Sequence, residues 1–351
     1  WQKLSNTVTG ISAITTIAAD LLKGVANGLQ GNIQLVIEAA GSEFFSLKDY
    51  RIGTAQYAKH LTGVIGDFGK PTPESFMGRL GELYDPMQGD FRDKYGRKVT
   101  MSTLNKLMRT DTLFFNQYFG EHEIQYAGMI ALLSATKVRD KNTKEEISLY
   151  EAYEKYDIEK THDNIEFIME EDGVKKYRPF TEKDRRSVQD RLHGLSKKMH
   201  GIYNNFDKGT IQRYGLGRLA MMYRKHMYPG FKRRFKRYSW DEEIGAASEG
   251  HYITFYNALV KDLRTYQFDL SKQWSSYSPA QKANIKRSLA EFGIIFSLIG
   301  LIAVLSAAAD DDEDLKDNYA FNFVLYEAIR MKSESFQYLN PIDVYRTVFT
   351  F

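Results

Sequence analysis

From Phe292 to Ala309 the sequence reads FGIIFSLIGLIAVLSAAA, eighteen residues without a charge, and its only polar side chains are the hydroxyls of Ser297 and Ser306. This run sits at the lower limit for crossing a bilayer as a helix. Upstream, Ser278 followed by Pro279 supplies an N-cap and a first helical residue, so the pattern predicts one continuous helix over Pro279–Ala309. At about 1.5 Å per residue such a rod is roughly 45 Å long. Asp310, Asp311, Asp312, Glu313 and Asp314 then end it. Carboxylates oppose the negative end of the helix dipole, which places these acids in solvent just beyond the last turn.

Two folds satisfy this segment. It is either the central helix of a soluble core or a helix that inserts into a membrane. Gly293, Ser297, Gly300 and Val304 recur at steps of four, three and four on one face, where small residues let another backbone approach closely in lipid or in a core. Lys282, Lys286 and Arg287 precede the run, so a spanning helix would keep its Pro279 end on the cytoplasmic side. The mean hydropathy of −0.45 excludes a polytopic membrane protein. With 351 residues the chain has room for several subdomains, and its net charge of +3 means that an electrostatic partner must be recognised by a local patch. The absence of cysteine removes disulfides, thiolate chemistry and sulfur-ligated zinc.

The rest of the chain predicts a mainly α-helical, irregular, multi-helical fold with one or two β-hairpins, divided into segments 1–140, 141–206, 207–277 and 278–351. Helical periodicity runs from Val8 to Leu29, a separate apolar piece covers Ile33 to Ala40, and a further helix covers Ser46 to Val64. A short helix opens at Thr72-Pro73 and closes at Asp85-Pro86, followed by a polar loop to Thr100. The aromatic-rich segment from Thr112 to about Val138 predicts the longest helix of the first half, with Phe114, Phe115, Tyr118, Phe119 and Tyr126 as core rings. Lys141–Lys160 reads as a loop plus a short helix. The runs of β-type residues on either side of Asp172-Gly173 give the strongest hairpin signal in the chain. Thr181 and Asp184 open a helix to about Phe206. A second hairpin is expected after Trp240, with Tyr252, Thr254 and Tyr256 alternating, then helices near Asn257–Tyr266 and Ala320–Met331.

Chemistry is sparse. Glu121, His122 and Glu123 lack the second histidine that a helical metal pair needs at the fourth position, and His193 and His200 read as solvated or capping residues. Asp310, Asp312 and Asp314 have polymerase-like spacing but no glycine loop to make them converge on a cation. No nucleophile elbow, phosphate loop or zinc-protease motif is present, so no metal, cofactor or catalytic residue is expected and the chain is not read as an enzyme. The second informative stretch is Arg213–Trp240. It carries the nine cations Arg213, Arg218, Arg224, Lys225, Lys232, Arg233, Arg234, Lys236 and Arg237 with aromatics between them and no acid. Such a block suits nucleic acid, an anionic lipid surface or an acidic protein face, and also fits a solvated basic face. Within it Gly215 and Gly217 loosen a helix that Pro229 is expected to end.

The segment GRLA…R…YPGFKRRF, then a glycine-containing acidic stretch with EGHY, then an apolar helix stopped by acids, resembles internal parts of the very large virion proteins of crAss-like tailed phages. The resemblance covers roughly Thr181 to Asp314. It implies a protein packaged in the capsid interior or portal region and delivered with the genome to the host cell envelope or cytoplasm. The partners it implies are other virion proteins, DNA and the host membrane. Some giant proteins of these phages carry a virion RNA polymerase, whose glycine-containing aspartate loop this chain lacks. A non-catalytic part of such an enzyme, or a membrane-active effector unrelated to phage, are the alternative readings. The chain itself reads as a portion of something longer.

Overall fold

The computed structural model describes residues 21–67, 72–87, 115–171, 173–200, 227–241, 246–265, 269–311, 315 and 317–336. The fold is mainly α-helical with a small antiparallel sheet and a separate two-stranded hairpin. It divides into two compact units, one within Gly10–Lys208 and the other within Gly209–Phe351. The described residues of the segments expected at 1–140 and 141–206 fall in the first unit, and those of 207–277 and 278–351 in the second.

In the first unit the organising element is α5 (Phe115–Ala135), which packs against α1 (Leu21–Gly41) and α2 (Leu47–Lys59). Its stretch from Ile124 to Leu133 is buried on every side. Leu35, Ile37, Met77, Leu80 and Tyr84 from neighbouring helices complete this core. A helix apolar all round must be enclosed, and here it is. Two glycines permit the enclosure. A Cβ on Gly53 of α2 would lie 2.4 Å from the Ala127 carbonyl oxygen, and one on Gly81 would lie 1.9 Å from the Tyr126 hydroxyl. Backbone meets backbone at Gly53, with no flexible atom to yield.

Local signals set the helix starts. Ser46 caps α2 in a reciprocal box with Asp49, and Ser75 caps α4 (Phe76–Tyr84), the element after α3 (Leu61–Asp67). The described end of the first apolar piece, from Leu21, and the second piece are joined across Gly31 in one uninterrupted helix, α1, with the Ile124 side chain packed against the bare Cα of Gly31. Conversely, the helix expected over Ser46–Val64 breaks at His60 into α2 and α3. The helix expected from Thr112 to about Val138 also stops earlier, at Ala135. Val138 belongs to β1 (Lys137–Asp140), which pairs with β2 (Glu146–Ser148) inside the segment read as a loop. These strands are three and four residues long and charged, too short for a period of two to show. Helix α6 (Leu149–Tyr156) and the single turn α7 (Thr161–Asn164) follow. The Asp172-Gly173 hairpin is present as β3 (Ile165–Glu171) and β4 (Val174–Pro179), with Ile168 opposite Tyr177 and Gly173 at φ 75°. The sheet order is β2-β1-β3-β4.

Helix α8 (Glu182–His200) then closes the end of α4. Arg185 donates to the Leu83 carbonyl at 2.7 Å, Gln189 to that of Tyr84 at 3.2 Å, and His193 meets that of Asp85 at 3.0 Å. Side chains at i, i+4 and i+8 of one helix thereby occupy carbonyls at the C-terminus of another. His193 is a capping residue, as its sequence context suggested.

The second unit begins, among the described residues, with α9 (Met227–Phe235). Pro229 lies within this helix, which runs on to Phe235, so the helix does not end there as expected. The second hairpin is β5 (Ser239–Asp241) and β6 (Ala246–Ser248). Tyr252 and Thr254 are not part of it. They lie in α10 (His251–Tyr256), which continues through a π-helical turn at Asn257–Asp262 into α11 (Leu263–Thr265). Tyr252 is turned towards the rings of Phe235 and Phe292, an arrangement that overrides its strand-like sequence. After α12 (Leu270–Ser276) come the long helix α13 (Pro279–Asp311) and α14 (Tyr319–Phe336), which pack on each other. The expectations for residues 8–20, 88–114, 201–226 and 337–351 lie outside the described residues.

The two faces of glycine give opposite expectations. Gly53→Ala should destabilise the first unit by about 1–3 kcal/mol, since the clash with the Ala127 carbonyl exceeds the helix-propensity gain. Gly66→Ala, where nothing lies within 4 Å of the new Cβ, should be neutral or stabilising by up to about 1 kcal/mol. Urea denaturation of the full chain followed by far-UV circular dichroism checks both signs.

Candidate membrane-inserting helix and its buried anchor

Ser278 begins α13 as the sequence predicted. Its backbone N–H donates to Gln281 Oε1 at 2.9 Å, while the Gln281 N–H donates to Ser278 Oγ at 3.2 Å. The helix continues past Ala309 and includes Asp310 and Asp311. Its two halves differ in what they touch.

From Pro279 to Glu291 the helix is an ordinary amphipathic element. Ala283, Ile285, Arg287, Ser288 and Glu291 are buried, and Gln281 and Lys286 face solvent. Ile285 packs with Ala258, Tyr277 and Phe255. Glu291 is the fixed point. Arg234 of α9, 1 % exposed, donates from both Nε (3.0 Å) and Nη2 to Glu291 Oε1, and its Nη1 donates to the Gly230 carbonyl at 2.9 Å. His251, the first residue of α10, meets Glu291 Oε2 through Nε2 at 2.9 Å. Burial pushes the His251 imidazole down to about 4, against the pull of Glu291 and with the help of Arg234 and Arg233. The ring is therefore neutral at pH 7, with its proton on Nε2 and Nδ1 bare, which fits Nδ1 meeting no hydrogen-bond partner. Ser288 Oγ adds a bond to the His251 carbonyl at 2.9 Å. Three elements are thus tied by one carboxylate.

Beyond Glu291 the helix loses its polar face but not its exposed one. Ile295 and Leu298 are buried, yet Phe296 is 70 % exposed and Val304 67 % exposed. Ile299 and Leu301 are exposed as well. By length and composition α13 is able to cross a membrane, and only 11 % of its most apolar 18-residue stretch is buried. This outcome departs from the central-core reading. Gly293, Ser297, Gly300 and Val304 are all exposed. A Cβ on Gly293 or Gly300 would meet nothing within 4 Å, and Ser297 Oγ turns back to the Gly293 carbonyl at 2.8 Å. Facing α13, α14 adds exposed Val324, Tyr326 and Ile329.

The basic block fares unevenly. Arg213, Arg218, Arg224 and Lys225 lie outside the described residues. Arg233 and Arg234 are buried, so neither presents a surface cation, and Arg234 is the internal partner of Glu291. Lys232 is half-buried, Lys236 reaches the Trp240 carbonyl and Ser248 Oγ, and Arg237 is exposed. Sequence reasoning missed this division because cations one and two residues apart occupy different faces of a helix, and Lys236 and Arg237 lie beyond its end. The absence of local acids hid the partner, which lies 57 residues downstream.

The acid–histidine cluster of α5 serves packing. His122 is stacked on Tyr126 at 3.7 Å and bonded to the Tyr57 hydroxyl at 3.1 Å, and burial pushes it down to about 3. Among the described residues no group of three or more metal-ligating side chains gathers.

Glu291→Gln should cost about 3–5 kcal/mol, because it strands a buried guanidinium. The neutral His251 gives a pH dependence of definite sign. An unfolded histidine takes up a proton near pH 6.5 and the folded one near 4. Its contribution is complete above pH 6.5 and declines as pH falls towards 4, by up to about 1.4 kcal/mol per pH unit. Urea titrations at pH 7.5 and 5, read by tryptophan fluorescence in a Trp1→Phe background, should show a smaller loss for His251→Gln than for the parent.

Comparison with protein-family models, with curated proteins and with solved structures found no match.

Proposed function

We propose that this chain is a virion cargo protein of a tailed phage, carried in the capsid interior or portal region and delivered with the genome. In this reading Phe292–Ala309 of α13 inserts into the host membrane, and the chain performs no catalysis of its own. The observation that carries the membrane part is the exposure of an uncharged, eighteen-residue helical segment beyond a firmly held base. At about 1.5 Å per residue this segment is roughly 27 Å long, close to the hydrocarbon thickness of about 30 Å. A water-soluble helix normally sets charges on its outward face; this one sets Phe296, Ile299, Leu301 and Val304 there. The virion setting rests on the resemblance over Thr181–Asp314. Contact with packaged DNA or with anionic headgroups falls, among the described cations, to Lys232, Lys236 and Arg237.

Because Phe296 and Val304 are exposed, an aspartate at either position should leave the fold intact. It should weaken insertion into phospholipid vesicles on the order of 100-fold, from a cost of about 2.5–3.5 kcal/mol for a central carboxylate. Vesicle flotation beside circular dichroism checks this; unfolding of Val304→Asp, or unchanged flotation, would sink the membrane reading. For the virion setting, quantitative mass spectrometry of purified particles before and after triggered genome release should show peptides of this chain leaving with the DNA. Their retention in the emptied shell would mark a fixed capsid or portal part.

A further inference from the structure

The side chains at the start of the β5–β6 hairpin are unusual for a solvent-exposed segment. Tyr238 is 73 % exposed and Trp240 66 % exposed, and Arg237 beside them is exposed too. Large aromatics with a polar edge are costly to leave in water and favour the boundary where one end is apolar and the other wet. An arginine beside them can bury its stem and keep its head at phosphate level.

The position of the hairpin decides what that boundary is. Its two ends are joined where the Gly250 N–H donates to the Lys236 carbonyl at 2.7 Å. A Cβ on Gly250 would lie 2.4 Å from the Arg234 carbonyl oxygen, so the two strands leave from a single point. That point is two residues after Arg234 and one before His251, the two side chains that grip Glu291. Glu291 immediately precedes the apolar run, and Phe292, its first residue, stacks on Tyr252 with ring centroids 5.3 Å apart. The hairpin therefore springs from the level of α13 at which charge gives way to hydrocarbon-like surface.

We propose that Arg237, Tyr238 and Trp240 form an interfacial lipid contact that seats in the headgroup layer of the bilayer entered by Phe292–Ala309. The proposal rests on the insertion reading and adds to it a depth stop and an orientation. Attraction to anionic lipid is not its main source, since Asp241, Glu242 and Glu243 follow in the sequence. The aromatic rings provide most of the affinity, so zwitterionic phosphatidylcholine is bound as well.

The test uses the full chain with Trp1→Phe and Trp274→Phe, which leaves Trp240 as the only tryptophan, and with Val304→Cys labelled by a polarity-sensitive dye, the chain having no other thiol. Phosphatidylcholine vesicles, with and without phosphatidylglycerol, are added. The expected result is a blue shift of Trp240 with stronger quenching by lipids brominated near the headgroup than by lipids brominated near the chain ends. The label at position 304 should report entry into hydrocarbon. Trp240→Ser, with circular dichroism unchanged, should lose on the order of tenfold in vesicle affinity. A label that enters while Trp240 stays in water overturns the hairpin contact and leaves the insertion reading standing. A Trp240 response with a label that stays aqueous supports the hairpin contact and overturns insertion. Silence from both overturns both, and quenching of Trp240 mainly by deep bromines overturns the headgroup position.

Discussion

The second unit depends on one buried carboxylate. Glu291 brings α9, α10 and α13 together through Arg234 and His251, and each of those partners is as deeply enclosed as the acid. A buried ion pair is a poor source of net stability when compared with well-packed apolar side chains, because desolvation consumes most of the Coulomb gain. What it does supply is register. A guanidinium fork and an imidazole N–H accept one placement of a carboxylate, whereas leucines in their place would tolerate a slide by a turn. In a helix whose following residues are apolar on every side, hydrophobic packing alone would not fix where the base ends. The polar clamp does so at Glu291.

The two units use similar material in opposite ways. In the first, the Ile124–Leu133 stretch of α5 is covered on every side, down to glycine contacts that leave no room for a methyl group. In the second, the outer half of α13 is at least as apolar, and its neighbour α14 covers one side of it. The first arrangement is a core in the usual sense. The second is a surface that water solvates poorly, held at one end by a charged clamp.

Much of the architecture was readable from residues. The start of α13 at Ser278-Pro279, the capping of α2 at Ser46, the reversal at Asp172-Gly173 and the Thr181–Asp184 opening of α8 are local devices, and local devices survive folding. What failed to show was decided at long range. β1 and β2 exist because Val138 finds Ile147 on one side and Phe167 on the other. The helix around Pro229 does not stop there but continues to Phe235, where Arg234 meets the distant Glu291. The basic block looked uniform, since nothing nearby in sequence distinguishes Arg234 from Arg237; only the distant Glu291 separates them. The same limit left the apolar helix undecided between core and membrane, because composition is equal in the two cases and coverage is not.

The uneven support along α13 also governs how the helix breathes. Its backbone hydrogen bonds are alike from end to end, but the tertiary contacts that protect them are not. Around Ala283, Arg287 and Glu291, opening a turn means breaking buried packing and the carboxylate clamp. Past Leu298, opening a turn uncovers side chains that are already largely uncovered. Amide exchange should accordingly quicken along a single unbroken helix from its base to its acidic end. The half that would have to leave its neighbour to enter a bilayer is then also the half whose departure demands the least unfolding.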